Sequence, residues 1–131
     1  IMSTIANGGI MMKPYLIDSI ENHNGALIKK FTSESYKKII TPSEAEDLTE
    51  YLCAVTEYGT AAKKFEGITY TVAGKTGTAE YNSEGKAHSW FIGFSNVENP
   101  DIVVSVVIED ASSTDKTGTS VAREIFDAYY E

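Results

Sequence analysis

The sequence predicts an α+β fold in which helices cover an antiparallel sheet. Three observations favour it. A well-capped helix pattern occupies the middle of the chain, three apolar or alternating segments follow it, and a second helix pattern closes the chain. Because only short polar turns separate the three segments, we expect an antiparallel meander rather than a doubly wound sheet.

Residues 1–60 are predicted to form a helical part that contains one hairpin. The opening "IANGG" is typical of the end of a helix that Gly8 and Gly9 stop. Since it begins in mid-pattern, we expect this chain to be the C-terminal fragment of a longer protein. The hairpin is expected within residues 13–31, with Asn24 and Gly25 as a two-residue turn.

The clearest helix in the sequence runs from about Thr41 to Gly59. Thr41 is a suitable N-cap, Pro42 fits the first helical position, and Glu44 completes a capping box. Gly59 is expected to end the helix. The apolar face is predicted to consist of Ala45, Leu48, Leu52 and Val55.

Residues 61–131 are predicted to contain the sheet and its covering helix. The strands are expected at 68–80, 87–95 and 101–110. Trp90, Phe91 and Phe94 in the middle strand are interpreted as core residues. The final helix, "TSVAREIFDAYYE", has an apolar stripe of Val121, Ile125, Phe126 and Tyr129.

Composition excludes several classes of function. A net charge of -8 argues against a nucleic-acid-binding protein, which normally shows a basic stripe. The single cysteine, Cys53, excludes an internal disulfide and a C-x-x-C metal site, and its apolar setting predicts a buried structural thiol. The acidic residues are scattered, which favours a solvated surface over a metal site.

Gly74-Lys75-Thr76 could in principle belong to a phosphate-binding loop. Such a loop requires G-x-x-x-x-G-K-[ST], and the position that must be glycine is Thr69 here. Gly67, the nearest upstream glycine, lies two residues too far away. A phosphate loop would also lead into a helix, whereas this segment continues as "GTAEY" and then a turn, so we reject this interpretation.

The segment "VAGKTGTAE", followed by a turn and "SWFIGF", resembles the C-terminal part of penicillin-binding proteins, the D,D-transpeptidases of bacterial cell-wall synthesis. The resemblance extends to "IANGGIMMKPYLI", "TPSEAEDLTEYLCAVTEYGTA" and "GTSVAREIFDAYY". It implies the C-terminal portion of the β-lactamase/transpeptidase-like fold, with K-T-G on a strand that lines the active site.

Within this resemblance, Lys75 and Thr78 are the expected catalytic residues, and Thr76, Gly77 and Thr78 the expected substrate-binding residues. The charge of Lys75 can attract a substrate carboxylate, and the hydroxyls of Thr76 and Thr78 can bond it. Gly77 leaves room for a peptide to lie against the strand. The resemblance implies that the backbone N–H of Thr78 is an oxyanion donor. Because pleating turns Lys75 and Thr76 to opposite faces, both can serve one site only on an edge strand.

The family's other motifs are not found with a suitable context. S-x-N does not occur, and none of the three S-x-x-K matches opens an apolar helix. These matches are Ser35/Lys38, Ser83/Lys86 and Ser113/Lys116. We therefore expect no nucleophile in this chain. A second K-T-G-T, residues 116–119, is interpreted as the start of the last helix.

Three further polar side chains lie outside these motifs. His23 is expected to be solvated in a turn, and His88 to lie on a strand face without acting as a general base. Glu80 is interpreted either as a substrate contact or as a solvated strand end.

The resemblance implies a parent enzyme that binds peptidoglycan stem peptides ending in D-Ala-D-Ala, and β-lactams, through an upstream serine. No metal or organic cofactor is implied. The parent is expected on the extracytoplasmic face of the bacterial plasma membrane, anchored by a segment outside this sequence. A serine β-lactamase and a penicillin-sensing or catalytically silent binding domain remain alternatives.

The last predicted strand carries a further expectation. The segment "IVVSVVI", residues 102–108, is apolar and β-branched, and the family fold implies upstream strands beside it. Without them, its open edge is expected to promote self-association of the isolated chain.

Overall fold

A computed structural model describes all residues, 1–131, as four helices and seven strands. The helices are α1 (Met2–Ala6), α2 (Pro42–Glu57), α3 (Ala62–Phe65) and α4 (Gly118–Tyr130). The strands are β1 (Ile10–Met12), β2 (Ser19–Glu21), β3 (Leu27–Lys30), β4 (Ser35–Lys38), β5 (Val72–Glu80), β6 (Ala87–Ser95) and β7 (Ile102–Ile108). None of the helices combines the length and the apolar character that crossing a membrane requires.

The main sheet is the predicted antiparallel meander, with strand order β5-β6-β7. β5 and β6 pair without a bulge from Val72 opposite Ser95 to Glu80 opposite Ala87. The observed strands β5 and β7 are shorter than the predicted segments 68–80 and 101–110, since residues 68–71 precede β5 and residues 109–110 follow β7 outside the sheet. The mixed fold class is confirmed.

Helices cover both faces of this sheet. On one face, Phe91 packs with Phe65 of α3 and Phe126 of α4 in the larger core cluster. On the other face, Phe94 packs with Met2 of α1. Because neighbouring strand residues alternate between faces, β5 contributes Val72 to the first cluster and Ala73 to the second.

Helix α2 begins as the capping signals predict. The Thr41 hydroxyl accepts a hydrogen bond from the Glu44 N–H at 3.3 Å, and the Thr41 N–H donates to Glu44 Oε2 at 2.7 Å. The predicted apolar face is partly wrong, because Leu48 is exposed although Ala45 is buried. Cys53 is only half-buried, and this burial still raises the pKa of its thiol.

The apolar stripe predicted for the last helix also needs correction. Phe126 is fully buried, as predicted, but the unpredicted Ala122 is buried with it, whereas Ile125 and Tyr129 are exposed. The helix is rotated because Gly118 lies directly against β6: a side-chain carbon there would be 2.7 Å from the carbonyl carbon of Trp90. This close approach places the residues four and eight positions later against the sheet.

Of the three core residues predicted in the middle strand, two are confirmed and one prediction is wrong. Phe91 and Phe94 are fully buried, as predicted, but the Trp90 side chain is 40% exposed. Trp90 points to the same face as Gly77, beyond the part of the sheet that α1 and α2 cover.

Two small ribbons make up residues 10–40, and the predicted helical part thus contains more strand than expected. β1 pairs with β4, and β2 pairs with β3 as the predicted hairpin. The hairpin turn is not the two-residue type, since Glu21 opposes Leu27 and Asn24 does not adopt a positive φ. Instead, the Asn22 side chain accepts from two backbone N–H groups of a five-residue loop. No residue of this segment is buried.

Candidate active site

Gly74, Lys75 and Thr76 lie in the middle of strand β5 rather than in a loop. Gly74 is required by packing, because a side-chain carbon there would lie 2.3 Å from the Phe91 ring. No backbone loop surrounds this segment and no helix follows it. The arrangement therefore lacks the geometry of a phosphate-binding loop.

Strand β5 is an edge strand, because its only partner in the sheet is β6. Lys75 opposes Ile92 and Thr76 opposes Phe91, so the two side chains leave the strand on opposite faces. Thr78 opposes Ser89 and shares the face of Thr76. Side chains from both faces of the strand can reach its open edge. Lys75 and Thr76 can therefore serve one site, which the sequence analysis expected only for an edge strand.

Hydrogen bonds hold the polar side chains of this edge in place. The Lys75 ammonium donates to the Thr76 carbonyl oxygen at 2.7 Å, and the hydroxyls of Thr60 and Thr76 lie 2.9 Å apart. Lys75 and Thr78 are exposed, and Thr76 is half-buried. The ammonium and two hydroxyls are thus available to an anion that approaches the edge.

Gly77 and Trp90 form the floor beside this edge. A side-chain carbon at Gly77 would lie 3.3 Å from the Trp90 Cβ. Because glycine has no side chain, the backbone of β5 stays accessible beside the indole. The sequence analysis did not predict that Trp90 is exposed, although counting residue pairs outward from the β5–β6 turn would have placed Trp90 opposite Gly77. The sequence analysis also did not identify Thr60 as a partner of this edge, because no local pattern indicates that contact.

Two large depressions of the surface lie elsewhere. One, of about 520 Å³, is lined by Glu57, Phe65 and Tyr70 among others, and the other, of about 500 Å³, by Glu46, Glu50 and Glu98 among others. Lys75–Thr78 line neither of them. Within this chain, the K-T-G edge is consequently an open wall rather than an enclosed pocket.

The S-x-x-K matches lie where their sequence context predicts. Ser35 and Lys38 are the ends of β4, Ser83 is in the β5–β6 turn, and Ser113 ends a short 3-10 turn. None of these serines begins an apolar helix. No group of three His, Cys, Asp or Glu side chains is placed to hold a metal ion.

The two histidines have different environments. His23 is exposed in the hairpin loop, as expected. His88 lies on a strand face, also as expected, and its Nδ1 accepts a hydrogen bond from the Asp110 N–H at 3.1 Å. Glu80 is exposed at the end of β5.

The second K-T-G-T forms the start of α4, as the sequence predicts. The Thr117 hydroxyl accepts from the Ser120 N–H at 3.1 Å, and the Thr117 N–H donates to the Ser120 hydroxyl at 2.9 Å. The Lys116 side chain forms an exposed ion pair with Glu124. These residues begin α4 and pack its first turn against β6.

Comparison with known protein families identifies the family of this chain. A family model described as the penicillin-binding protein transpeptidase domain matches residues 1–131. The chain belongs to this family. The assignment agrees with the antiparallel sheet and its covering helices.

Curated relatives are similar along nearly the whole chain. The chain is 32% identical to the peptidoglycan D,D-transpeptidase PbpA of Mycolicibacterium smegmatis over 129 residues, which is 95% of this chain and 26% of the relative. It is 31% identical to the peptidoglycan D,D-transpeptidase MrdA of Haemophilus influenzae, with 95% of this chain and 22% of the relative covered. The chain thus spans about a quarter of the length of these relatives.

Solved structures of the family have the same fold. Penicillin-binding protein A of Mycobacterium tuberculosis, solved as an imipenem acyl-enzyme complex, aligns with a TM-score of 0.83 at 28% identity. That alignment covers 99% of this chain and 29% of the other. The D,D-transpeptidase domain of a peptidoglycan glycosyltransferase from Eggerthella lenta aligns with a TM-score of 0.83 at 34% identity, covering 97% and 29%.

Proposed function

We propose that this chain supplies the K-T-G wall of a serine D,D-transpeptidase that cross-links peptidoglycan stem peptides and is acylated by β-lactams. The observation that carries the proposal is the open edge of β5, which bears Lys75, Thr76 and Thr78 around Gly77. The names of the relatives and the acyl-enzyme structures of a neighbour support it. The nucleophile is a serine of the parent protein outside residues 1–131.

In this proposal, the stem peptide lies along the edge of β5 as an additional strand. An edge strand offers backbone N–H and C=O groups to an extended peptide, and Gly77 allows the peptide to approach closely. The terminal D-Ala carboxylate is bound by the Lys75 ammonium and by the hydroxyls of Thr76 and Thr78. These contacts orient the D-Ala-D-Ala amide bond toward the serine.

The reaction then proceeds through two acyl transfers. The serine oxygen attacks the carbonyl carbon of the penultimate D-Ala, the amide bond breaks, and the terminal D-Ala leaves as the amine takes up a proton. An amine of a neighbouring stem peptide next attacks the acyl-enzyme and regenerates the serine. The Thr78 N–H stabilises the oxyanion in both steps, and such a donor is worth about 3 kcal/mol of barrier. The positive charge of Lys75 favours the anionic transition states.

Labelled penicillin tests the proposed function in the full-length protein. We expect one covalent adduct per protein on a serine outside residues 1–131, together with slow release of the acyl group. Rapid release would instead identify a serine β-lactamase, and absence of any adduct would identify a silent binding domain. An adduct on Ser35, Ser83 or Ser113 would contradict the absence of a nucleophile in this chain. We further propose that the parent acts on the extracytoplasmic face of the plasma membrane, where labelling of intact cells by an impermeant penicillin would detect it.

We also propose that the isolated chain self-associates through β7. This strand pairs only with β6, and Val103 and Val107 are 39% and 41% exposed. An open apolar edge offers unpaired backbone groups to a second chain. Sedimentation of the isolated chain at micromolar concentration is expected to show dimers or larger species.

A lysine on this edge is the appropriate perturbation of self-association. Ser105→Lys places a charge at an exposed position, whereas Val104 is buried in the core and its replacement would test folding instead. We expect Ser105→Lys to restore the monomer, and Ser112→Lys, in the exposed loop after β7, to leave association unchanged. A wild-type chain that stays monomeric up to millimolar concentration would refute this proposal.

A further inference from the structure

A cluster of side chains at the far end of the β5–β6 hairpin has no part in the proposed chemistry. The imidazole of His88 stacks on the ring of Tyr81, with centroids 4.5 Å apart and planes inclined by 13°. Its Nδ1 accepts the Asp110 N–H at 3.1 Å. The hairpin is therefore joined to the loop that follows β7, across 22 residues of sequence.

Asp110 has an unusual backbone conformation at this contact. Its φ of 46° and ψ of 54° place a non-glycine residue in the left-handed region, which few side chains other than those of Asn and Asp adopt. The Ser112 hydroxyl donates to its carboxylate at 2.6 Å, and the Lys86 ammonium lies 3.7 Å from the same carboxylate. Asp110 is thereby bound to the hairpin both through its N–H and through its side chain.

The position of the cluster relates it to the K-T-G edge. His88 opposes Ala79 in the sheet, and the next residue pair is Ser89 with Thr78. The Ser89 hydroxyl accepts the Gly118 N–H at 3.0 Å, which connects β6 to the start of α4. Thr78 lies on an edge strand, so β6 is the only strand that holds it, and β6 is itself anchored at these two consecutive residues.

We propose that His88 is a positioning residue of the site. The clasp, which is the hydrogen bond that His88 Nδ1 accepts from the Asp110 N–H, holds the end of the hairpin and thereby keeps the Thr78 backbone in the reactive position. The inference rests on the proposed function. Because a backbone N–H can only donate, the clasp requires a neutral imidazole that carries its hydrogen on Nε2. A displacement of about 1 Å at such a site can reduce a rate by about a hundredfold.

Two substitutions distinguish the contribution of the Nδ1 acceptor of His88 from that of its ring, which stacks on Tyr81. His88→Asn retains an acceptor atom near the position of Nδ1, whereas His88→Phe retains a ring for stacking on Tyr81 and loses the acceptor. His23→Phe, in the exposed hairpin loop, is the matched control. Each variant is made in the full-length protein. The measurements are the second-order rate of acylation by fluorescent penicillin and amide hydrogen exchange in peptides spanning 109–114.

We expect His88→Phe to reduce the acylation rate about tenfold and to speed exchange at 109–114, with only a small decrease in the unfolding midpoint. His88→Asn should restore both toward the wild-type values, and His23→Phe should change neither. In the wild-type protein, imidazole 15N shifts should report the Nε2–H tautomer of His88.

Wild-type acylation by His88→Phe would overturn the positioning role, and unchanged exchange in that variant would overturn the clasp. Failure of His88→Asn to restore either value, or an Nδ1–H tautomer, would overturn the role of Nδ1 as acceptor. A wild-type protein that penicillin never acylates would refute the proposed function. Hydrogen exchange at 109–114 would still test the clasp in that case, so the two failures can be distinguished.

Discussion

The two K-T-G-T segments, residues 75–78 and 116–119, have the same four letters and different structures. The first is extended in the edge strand β5, with its lysine and threonines on opposite faces beside the open edge. The second turns into α4, where Thr117 caps the helix and Gly118 lies against the backbone of β6. The same residues thus form part of an open strand edge in one place and a helix start in the other.

The difference teaches that the surroundings of a motif decide its role. "VAG" precedes the first copy with small apolar residues that continue a strand, whereas "SSTD" precedes the second with residues typical of loops. Serine four residues after Lys116 completes a capping box, while alanine occupies the same position after Lys75. Four substitution pairs can test this contrast.

The largest effect is expected from the two lysines. In the full-length protein, Lys75→Ala should slow acylation by penicillin about a hundredfold or more, because it removes the charge that we propose binds the carboxylate. Lys116→Ala should change the rate by no more than about twofold, since this side chain pairs only with Glu124 on the surface. Stopped-flow acylation measures both. Equal losses in the two variants would refute the assignment of β5 as the active-site strand.

Substitution of the two glycines should give the reverse order: the free energy of unfolding should be more sensitive to the glycine of the second copy than to that of the first. Gly118→Ala places a methyl group 2.7 Å and 2.8 Å from backbone atoms of Trp90 and Phe91, which cannot move aside cheaply. We expect a loss of about 1–3 kcal/mol in the free energy of unfolding. Gly77→Ala meets only the Trp90 side chain at 3.3 Å, and its stability should change by less than about 1 kcal/mol. Urea denaturation compares them, and a larger loss at Gly77 would contradict the packing described for α4.

The first threonine of each copy gives a smaller contrast. Thr117→Ala removes the helix cap and should cost about 1 kcal/mol, whereas Thr117→Ser should cost almost nothing. Thr76→Ala loses only the exposed hydrogen bond with Thr60, and about 0.5 kcal/mol is expected. Thermal unfolding of the three variants is the measurement. A serine variant as unstable as the alanine variant would indicate that the cap is not responsible.

The smallest effect concerns the ion pair of the second copy. Lys116 and Glu124 are both more than half exposed, so their attraction is screened by water and salt. A double-mutant cycle between Lys116→Ala and Glu124→Ala should give a coupling of about 0.5 kcal/mol or less. A coupling several times larger would mean that this end of α4 is less open to solvent than it is here.

Local signals in the sequence were sufficient for much of this fold. The capping box at Thr41 and Glu44, the glycines that end α1 and the short polar turns between β5, β6 and β7 act over a few residues, and each led to a correct element. K-T-G with its flanking segments likewise led to the family that the comparison found. Such signals work because caps and turns are satisfied by their own neighbours in the chain.

Only the tertiary structure decided which faces of these elements are buried and which edges are open. Periodicity predicts that α4 has an apolar stripe, but the contact of Gly118 with β6 selects Ala122 and Phe126 over Ile125 and Tyr129. The exposure of Trp90 and the partners of Thr76 and His88 depend on segments distant in the chain. A contact between distant residues leaves no periodic pattern in either segment, because burial depends on where the second element docks and not on the first alone.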